Sequence, residues 1–425
     1  MNQSSLLISK KKILIGIAAV LFSINAMSQS VIEWRGVGRT GIYPEPGLLK
    51  EWPVNGPGLL WSVTNLPMGY SSVSIANNTL FVTGRKDSFD IVSAIDVNGT
   101  LKWQTSYGRS WNQSFPESRC TPTIDNGKLY LTSGLGDIAC IDASNGKIIW
   151  SMKASEKFEG SFGMWGIAES PLIIGNKLIY TPGGKMTTMV ALDKTNGNLI
   201  WKSESLNDNP AYVSPILIQF GEKQQIINVS ESYIYGVSPD DGKLLWKFDY
   251  LRYSNSGNGD INTNSPLYHN GGIFVSNGYN HCGILLKLAP DGNSVSVAWS
   301  STVLDTHHGG YLRIGDYIYG SNWLNNGMGN WVCLDWNSGK TMYETEWFNK
   351  GPIISDGEML YCQEEKKGNF ALVKVDPGKF VVSSMFKIPL GTGPYWAHPV
   401  ICNGVLYIRH GNALMAYDVK VRGKG

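Results

Sequence analysis

The chain has 425 residues and is close to charge neutrality, with 36 Lys and Arg against 34 Asp and Glu. This balance offers no basic surface for a nucleic acid, so we expect no nucleic-acid partner. Charged residues make up only 16% of the chain, and 15 Trp and 20 Tyr supply material for a core. The composition therefore predicts a folded protein and excludes intrinsic disorder.

The first 28 residues have the pattern of a secretory signal. Three lysines at 10–12 precede an apolar run at 13–22 and a small-residue site at 26–28. The apolar run is too short to span a bilayer. We expect residues 1–28 to be cleaved and the protein to be periplasmic or secreted, with no membrane span. Because no cysteine precedes Cys120, we expect no lipid anchor at the mature N-terminus.

Residues 29–56 have the composition of an irregular leader. Arg35 and Arg39 stand among glycines beside Trp34, and three prolines follow. We expect this leader to pack across one face of the domain that comes after it. The alternative is that Arg35 or Arg39 reaches a ligand.

A strand, a tight turn and a second strand recur along the rest of the chain. In the clearest copy, Asp142 can accept hydrogen bonds from the turn, Gly146 supplies a left-handed conformation and Trp150 lies on the second strand. We call this Asp–Gly–Trp pattern the docking motif. Its other copies are Asp193/Gly197/Trp201 and Asp96/Gly99/Trp103, with looser ones at Gly242/Trp246 and Gly292/Trp299.

These repeats predict an all-β, eight-bladed β-propeller over residues 57–418. The eight innermost strands are expected to begin near residues 71, 120, 169, 213, 264, 308, 350 and 397. The last copy stops at residues 416–418 without a second strand, whereas residues 58–63 form a strand without a first half. We expect this N-terminal strand to join the last blade and close the ring, which removes exposed sheet edges. Residues 419–425 are then a tail.

Equivalent strand starts should form rings of residues around the central channel. Small residues dominate one ring, where the strands crowd together: Ser72, Thr121, Ser170, Ser214, Ser265, Gly309 and Gly351, with His398 as the exception. The two preceding rings bring polar and aromatic groups to one mouth of the channel. Across these rings, the candidate catalytic residues are Glu169, His308, Arg119 and Lys350, and the candidate ligand-binding residues are Asn264, His307, Trp396, His398 and Tyr212.

Charged groups held together in a partly dry funnel shift one another's pKa values, as acid–base sites require. We interpret Glu169 or His308 as a general base, with Arg119 and Lys350 stabilising negative charge and Trp396 stacking on the ligand. The alternative is that these groups only satisfy one another structurally.

The sequence assigns no metal. His307 and His308 are adjacent, and on a strand they would point to opposite faces and could not share one ion. Asp305, Glu169 and Asn264 could complete an oxygen-rich calcium site, but no spacing in the chain requires one.

The six cysteines are scattered, at 120, 140, 282, 333, 362 and 402. There is no CxxCH pattern, so we expect no c-type haem. Most free cysteines are buried small residues, which is the interpretation we favour here. Cys120 and Cys140, which lie in one repeat, could form a disulfide in an oxidising compartment.

The docking motifs resemble the repeats of the pyrroloquinoline-quinone-like (PQQ-like) propeller family. Residues 34–41 together with 168–171 and 307–310 look like an exported bacterial subgroup described as quinoprotein-like. The resemblance implies a link to quinone-dependent alcohol and sugar dehydrogenases, and to the propeller lipoprotein of the outer-membrane barrel-assembly machinery. It also implies pyrroloquinoline quinone with calcium as a cofactor to consider, although the chain lacks the vicinal Cys pair of methanol-dehydrogenase-like enzymes.

Two functions are therefore expected as alternatives. The first is an exported propeller with an alcohol, sugar or quinone site at the channel mouth, acting as an oxidoreductase on a small molecule. The second is a non-catalytic scaffold that binds protein partners in the cell envelope through exposed loops such as residues 111–115 and 347–348. In both cases we expect a monomer.

Overall fold

In a computed structural model, residues 30–254 and 261–422 are described, and the expected signal at residues 1–28 lies outside them. The described chain forms eight four-stranded antiparallel sheets. This arrangement confirms the predicted eight-bladed propeller. The first strands of neighbouring sheets contact one another, as expected for strands that surround a central axis.

The strands of the first four blades follow one another along the chain. A single strand, β1 (Gly58–Val63), precedes them. The first blade consists of β2 (Ser74–Ala76), β3 (Thr79–Lys86), β4 (Phe89–Asp96) and β5 (Leu101–Arg109), and the second of β6 (Thr123–Asp125), β7 (Lys128–Thr132), β8 (Asp137–Asp142) and β9 (Ile148–Lys153). The third blade consists of β10 (Leu172–Ile174), β11 (Lys177–Tyr180), β12 (Val190–Asp193) and β13 (Leu199–Lys202), and the fourth of β14 (Ile216–Phe220), β15 (Lys223–Val229), β16 (Tyr233–Val237) and β17 (Leu244–Asp249).

The second four blades repeat this pattern. The fifth blade consists of β18 (Leu267–His269), β19 (Gly272–Val275), β20 (Gly283–Leu288) and β21 (Val295–Ser301), and the sixth of β22 (Tyr311–Ile314), β23 (Tyr317–Ser321), β24 (Trp331–Asp335) and β25 (Thr341–Thr345). The seventh blade consists of β26 (Ile353–Ser355), β27 (Met359–Gln363), β28 (Asn369–Lys374) and β29 (Val382–Lys387). The last repeat supplies β30 (Val400–Cys402), β31 (Val405–His410) and β32 (Ala413–Asp418) to the eighth blade. Helical turns within the described residues are short, at Val37–Arg39, Ala154–Lys157 (α1) and Tyr250–Ser254 (α2).

The eighth blade is shared between the two ends of the chain. Strand β1 pairs antiparallel with β32, with Gly58 opposite Asp418 and Val63 opposite Leu414. The predicted closure is therefore confirmed, because the N-terminal strand supplies the outer strand that the last repeat lacks.

The docking motif joins neighbouring blades at five of the eight joints between the described blades. The indole of Trp150 lies on Gly197 of the following blade, where an added Cβ would come within 2.9 Å of the ring and where φ is +76°. The Trp150 Nε1 also donates to the carbonyl oxygen of Lys194 at 3.0 Å. The same ring-on-glycine contact occurs in the pairs Trp61/Gly99, Trp103/Gly146, Trp201/Gly242 and Trp299/Gly339.

The joint between the fourth and fifth blades departs from this pattern. Trp246 packs on Gly236 of its own blade, and its Nε1 donates to Gln225 Oε1 at 2.9 Å. Gln225 in turn donates to the carbonyl oxygen of Gly292 at 2.8 Å, in the position where the motif would place a Trp. A glutamine thus bridges these two blades.

The ring of small residues forms a run of four hydrogen bonds that links five successive blades along the channel. Each backbone amide donates to the hydroxyl of the equivalent residue in the next blade, and the pairs are Ser72 to Thr121 at 2.9 Å, Thr121 to Ser170 at 3.0 Å, Ser170 to Ser214 at 2.9 Å and Ser214 to Ser265 at 3.2 Å. Besides being small enough for the crowded channel, these residues therefore link the innermost strands of successive blades through their hydroxyl groups.

The leader lies across the channel. Val31 forms a bridge with Ile75, and the buried Arg39 donates to the carbonyl oxygens of Ser170 at 3.0 Å and Pro171 at 2.8 Å. These contacts place the Trp34–Arg35 pair beside the channel axis, where Arg35 is 3% exposed.

All six cysteines are free thiols, and Cys120 and Cys140 do not form a disulfide. Within the described residues, no helix has both the length and the apolar character needed to cross a membrane.

Candidate ligand-binding site

A cavity of about 340 Å³ opens at one mouth of the channel. Aromatic side chains form much of its wall: Trp34, Tyr70, Phe115, Trp165, Tyr212, Tyr279 and Trp396. Polar groups share the wall with them: Arg119, His307, His308, Glu365, Lys366 and His398. The cavity is thus an apolar, ring-lined space with ionisable groups gathered on part of its surface.

The structure brings together six of the nine residues that the sequence proposed for the site. Those that line the cavity are Arg119, His307, His308, Trp396, His398 and Tyr212. Glu169, Lys350 and Asn264 lie outside the lining, because their side chains turn away from the mouth and into the protein.

Glu169 is buried within its own blade, where it hydrogen-bonds Thr181. Its Oε1 atom has no hydrogen-bond partner among the described residues. Burial raises the pKa of Glu169 to about 8, with Thr181 and Arg39 opposing the shift. The residue is separated from the cavity, so the proposal below does not use it as a base.

Equivalent residues in the two preceding blades explain this position. Ser71 accepts a hydrogen bond from the Thr83 amide at 2.9 Å, and Cys120 accepts one from the Thr132 amide at 3.3 Å. In each case the partner lies twelve residues further along the chain, on the next strand of the same blade. In these three blades the side chain at this ring position therefore holds a backbone amide and does not face the channel, whereas His308, at the same position of a later blade, lines the cavity.

Asn264 and Lys350 hold the loops that carry site residues. Asn264 Nδ2 donates to the carbonyl oxygens of Thr306 at 2.7 Å and His307 at 2.5 Å, which fixes the backbone of the His pair. Lys350 is 1% exposed, and its Nζ donates to the carbonyl oxygen of Asn325 at 2.8 Å. Both are positioning residues.

His307 and His308 lie in an irregular segment before β22, so the strand argument against a shared ion does not apply. Their ring centroids are 3.9 Å apart, at an angle of 71°. His308 Nε2 lies 3.5 Å from Glu365 Oε2, and His307 Nε2 lies 3.1 Å from the Tyr279 hydroxyl. The two rings therefore converge on one carboxylate.

Glu365 is a site residue that the sequence analysis missed. It follows β27, is 3% exposed, and its Oε1 lies 3.1 Å from Lys350 Nζ. Burial raises the pKa of Glu365, and Lys350 opposes that shift. Burial also lowers the pKa of His308 to about 3, helped by the positive charges of Lys350 and Arg119.

The floor of the cavity comes from the leader. Arg35 Nη1 lies 3.0 Å from His398 Nδ1, and Arg35 Nη2 donates to the carbonyl oxygen of Tyr311 at 2.5 Å. Trp34 meets the His398 ring edge-on, at 5.6 Å between centroids. Burial and the Arg35 charge hold the pKa of His398 well below its ordinary range. In the sequence, this part of the cavity was indicated by Trp34 and Arg35, which stand beside the glycines of the leader.

The opposite wall is built by packed rings. Trp396 contacts His308 at 4.6 Å and Tyr70 at 4.9 Å between centroids, both edge-on. Arg119 donates to the carbonyl oxygens of Trp165, at 2.8 Å, and of Phe115. Its guanidinium is thereby held in place, and burial lowers its pKa.

The residues present do not fit pyrroloquinoline quinone with calcium. That quinone is a tricarboxylate, whereas the cations of the described lining are Lys366 and an Arg119 already bound to two carbonyls. Calcium takes six to eight oxygen ligands. In the described part of the chain, the group of side chains placed to hold an ion is His307, His308 and Glu365, which is rich in nitrogen.

A family model described as outer membrane protein assembly factor BamB matches residues 88–341, more than half of the chain. The chain belongs to this BamB-like family of PQQ-repeat propellers. The resemblance drawn from the docking motifs is thereby confirmed.

BamB-like relatives and enzymes share this fold. BamB of Shewanella oneidensis is 20% identical over 283 residues, covering 62% of this chain and 66% of that protein. The solved BamB of Moraxella catarrhalis superposes with a TM-score of 0.61 at 13% identity, covering 85% of this chain and 99% of that one. A europium-containing methanol dehydrogenase superposes with a TM-score of 0.64 at 15% identity, covering 91% and 90%.

The chain spans less than two thirds of the length of the first curated relatives it matches. The structural likenesses, all at low identity, show the fold alone. Since the BamB-like fold is shared by an assembly factor and by dehydrogenases, the function must be argued from the site.

Proposed function

We propose that this propeller binds a small ring-shaped, hydroxylated molecule, such as a sugar or a cyclic alcohol, in the cavity at its channel mouth. The observation that carries the proposal is the wall of seven aromatic side chains beside a cluster of polar groups. Aromatic faces stack on flat ligands, and a few convergent polar groups fix their orientation. A cavity of about 340 Å³ also lies within the usual size of small-molecule sites.

Some polar atoms of the lining residues lack a partner. Neither ring nitrogen of His308 makes a hydrogen bond within the described part of the chain. Buried polar groups usually have partners, so such atoms at a cavity wall favour a polar ligand. An oxidoreductase role would add transfer of electrons from a bound hydroxyl compound to an acceptor.

Calorimetric titration with a panel of monosaccharides, disaccharides and cyclic polyols tests the proposal. Trp396→Ala should weaken binding at least tenfold, about 1.4 kcal/mol, because it removes the stacking surface beside His308. Phe348→Ala is the matched control, since Phe348 is 55% exposed and outside the lining. Absence of binding across the panel, or equal affinities for the two variants, would contradict the proposal.

A second titration separates binding from quinone chemistry. Pyrroloquinoline quinone with calcium should leave the melting temperature unchanged, because the cations of the described lining are Lys366 and an Arg119 already bound to two carbonyls, and its candidate ion ligands are rich in nitrogen. A rise in melting temperature, followed by alcohol- or sugar-dependent reduction of an artificial electron acceptor, would instead favour the dehydrogenase function.

A scaffold function has its own supporting observation. Exposed apolar side chains flank the loops that carry lining residues: Phe115 at 48%, Met164 at 64%, Leu324 at 47% and Met328 at 55% exposed. Apolar groups gathered around a depression are typical of protein-docking surfaces. The expected partner is an apolar segment of another envelope protein.

Chemical cross-linking in intact cells tests this second function. Met328→Asp should reduce a specific cross-linked product while sugar binding remains. Val54→Asp is the control, since Val54 is 97% exposed and lies in the leader. If both variants give the wild-type cross-linking pattern, the scaffold function has no support at this rim.

A further inference from the structure

The cluster of His307, His308 and Glu365 combines two imidazoles and one carboxylate at the edge of the cavity. One donor atom from each residue lies within 4.8 Å of the other two. An ion with four ligands at about 2.1 Å has its donors about 3.4 Å apart. The separation of 3.5 Å between His308 Nε2 and Glu365 Oε2 already matches one edge of such a site.

The surrounding residues orient these donors as the outer shell of a metal site does. Tyr279 contacts His307 Nε2 at 3.1 Å, and Nδ1 of that ring has no partner among the described residues. Lys350 lies against Glu365 Oε1 at 3.1 Å, which leaves Oε2 directed at His308. Hydrogen bonds to the far side of each ligand are what fix ligand geometry around protein metals.

We propose that His307, His308 and Glu365 bind one divalent transition-metal ion, with zinc as the best match and with a coordination position open to the cavity. Two neutral imidazoles and one carboxylate are a common ligand set for zinc and suit calcium poorly. All three residues line the cavity, so the fourth ligand would come from water or from the bound small molecule. The proposal uses the cavity described above but does not depend on sugar binding.

Metal titration of the untagged, chelator-treated protein tests the site without any organic ligand. Calorimetry with Zn²⁺ should show one ion per chain, with a dissociation constant on the order of 1 µM or lower. Co²⁺ should give the intense visible absorption of a four- or five-coordinate ion. Zn²⁺ should also raise the melting temperature, because it binds only the folded chain.

Variants assign the ligands. His307→Gln and His308→Gln should each weaken Zn²⁺ at least tenfold, and Tyr279→Phe should weaken it to a smaller extent. His269→Gln is the matched control, because His269 contacts Trp336 and lies outside the cavity lining. Cys282→Ser controls for binding at the partly exposed thiol.

Two results would overturn the proposal. The first is no stoichiometric binding by the wild-type protein. The second is binding that survives both His variants but is lost in a control. If the His variants fold poorly, the electron paramagnetic resonance spectrum of Cu²⁺ bound to the wild-type protein gives the answer, since it should show coupling to two imidazole nitrogens. Sugar binding with no metal binding would reject this site alone, and metal binding with no sugar binding would reject only the proposed function.

Discussion

Ser71, Cys120 and Glu169 occupy the same position in three successive blades, and all three side chains serve a backbone amide on the next strand. A hydroxyl or a thiol can do this without a charge, whereas a carboxyl must either keep a proton or place a charge in a dry interior. Glu169 keeps its proton at neutral pH, because burial raises its pKa to about 8.

Glu169 therefore makes stability depend on pH. In the unfolded chain its carboxyl loses its proton near pH 4.3, whereas in the folded chain it does so near pH 8. The folded state holds the extra proton between these values, so stability should fall as the pH rises through this window and level off above it.

Glu169→Gln should remove this dependence. Relative to the wild type, the variant should gain on the order of 3 kcal/mol between pH 5 and pH 9, measured by urea unfolding at several pH values. The neighbouring Tyr180 and Tyr235 keep their protons across this range, since burial raises both pKa values. Glu358→Gln, at a side chain that is 78% exposed, provides the control. A difference that does not vary with pH would mean that Glu169 is charged in the folded protein.

At the scale of elements, the docking motif makes neighbouring blades depend on each other at five of the eight joints. The Trp of one outer strand covers the turn glycine of the next blade and donates to a carbonyl of that turn. A four-stranded sheet cannot bury both of its faces alone, so these contacts turn separate sheets into a continuous core.

Substitutions at Trp150 test how much one such joint contributes to the free energy of unfolding. Trp150→Ala should lower the free energy of unfolding by about 3 kcal/mol, because it removes the ring from Gly197. Trp150→Phe keeps a ring but loses the hydrogen bond to Lys194, and should cost about 1 kcal/mol. Guanidinium unfolding of the two variants separates packing from hydrogen bonding; equal losses would show that the hydrogen bond dominates.

At the scale of the whole molecule, the eighth blade differs from the others because its strands come from both ends of the chain and are joined by the pairing of β1 with β32. Strand β1 belongs to the eighth blade, and Trp61 on that strand docks on Gly99 of the first blade, with Nε1 donating to the Val97 carbonyl oxygen at 2.7 Å. The closure is thus held by the β1–β32 pairing and by hydrogen bonds such as those from the Leu66 amide to the Asn412 carbonyl oxygen and from Arg409 to the Pro67 carbonyl oxygen, while the Trp61 indole ties β1 to the first blade.

Trp61→Ala should loosen this joint selectively. Hydrogen exchange followed by mass spectrometry should show faster exchange in β1 and β32 than in the wild type, with no change in the blades on the far side of the ring. Trp150→Ala, at a joint inside the chain, should instead raise exchange in the second and third blades. Uniform acceleration across all blades would mean that the ring opens as one cooperative unit.

The sequence by itself determined the all-β class, the eight blades, the ring closure and the resemblance to PQQ-like propellers. It could do so because the docking motif is local: its turn glycine and Trp lie within ten residues, and repetition makes the pattern visible. Six of the nine proposed site residues also reached the cavity, since equivalent strand starts surround the channel.

Only the tertiary structure decided where the individual side chains point. Glu169 turns into its blade because a backbone amide needs it, and His307 and His308 converge because their segment is not a strand. Glu365 and Trp34 join the site from parts of the chain that share no spacing with the His pair. Such contacts depend on how distant segments pack and on the burial that results. A local sequence pattern specifies neither the packing nor the burial.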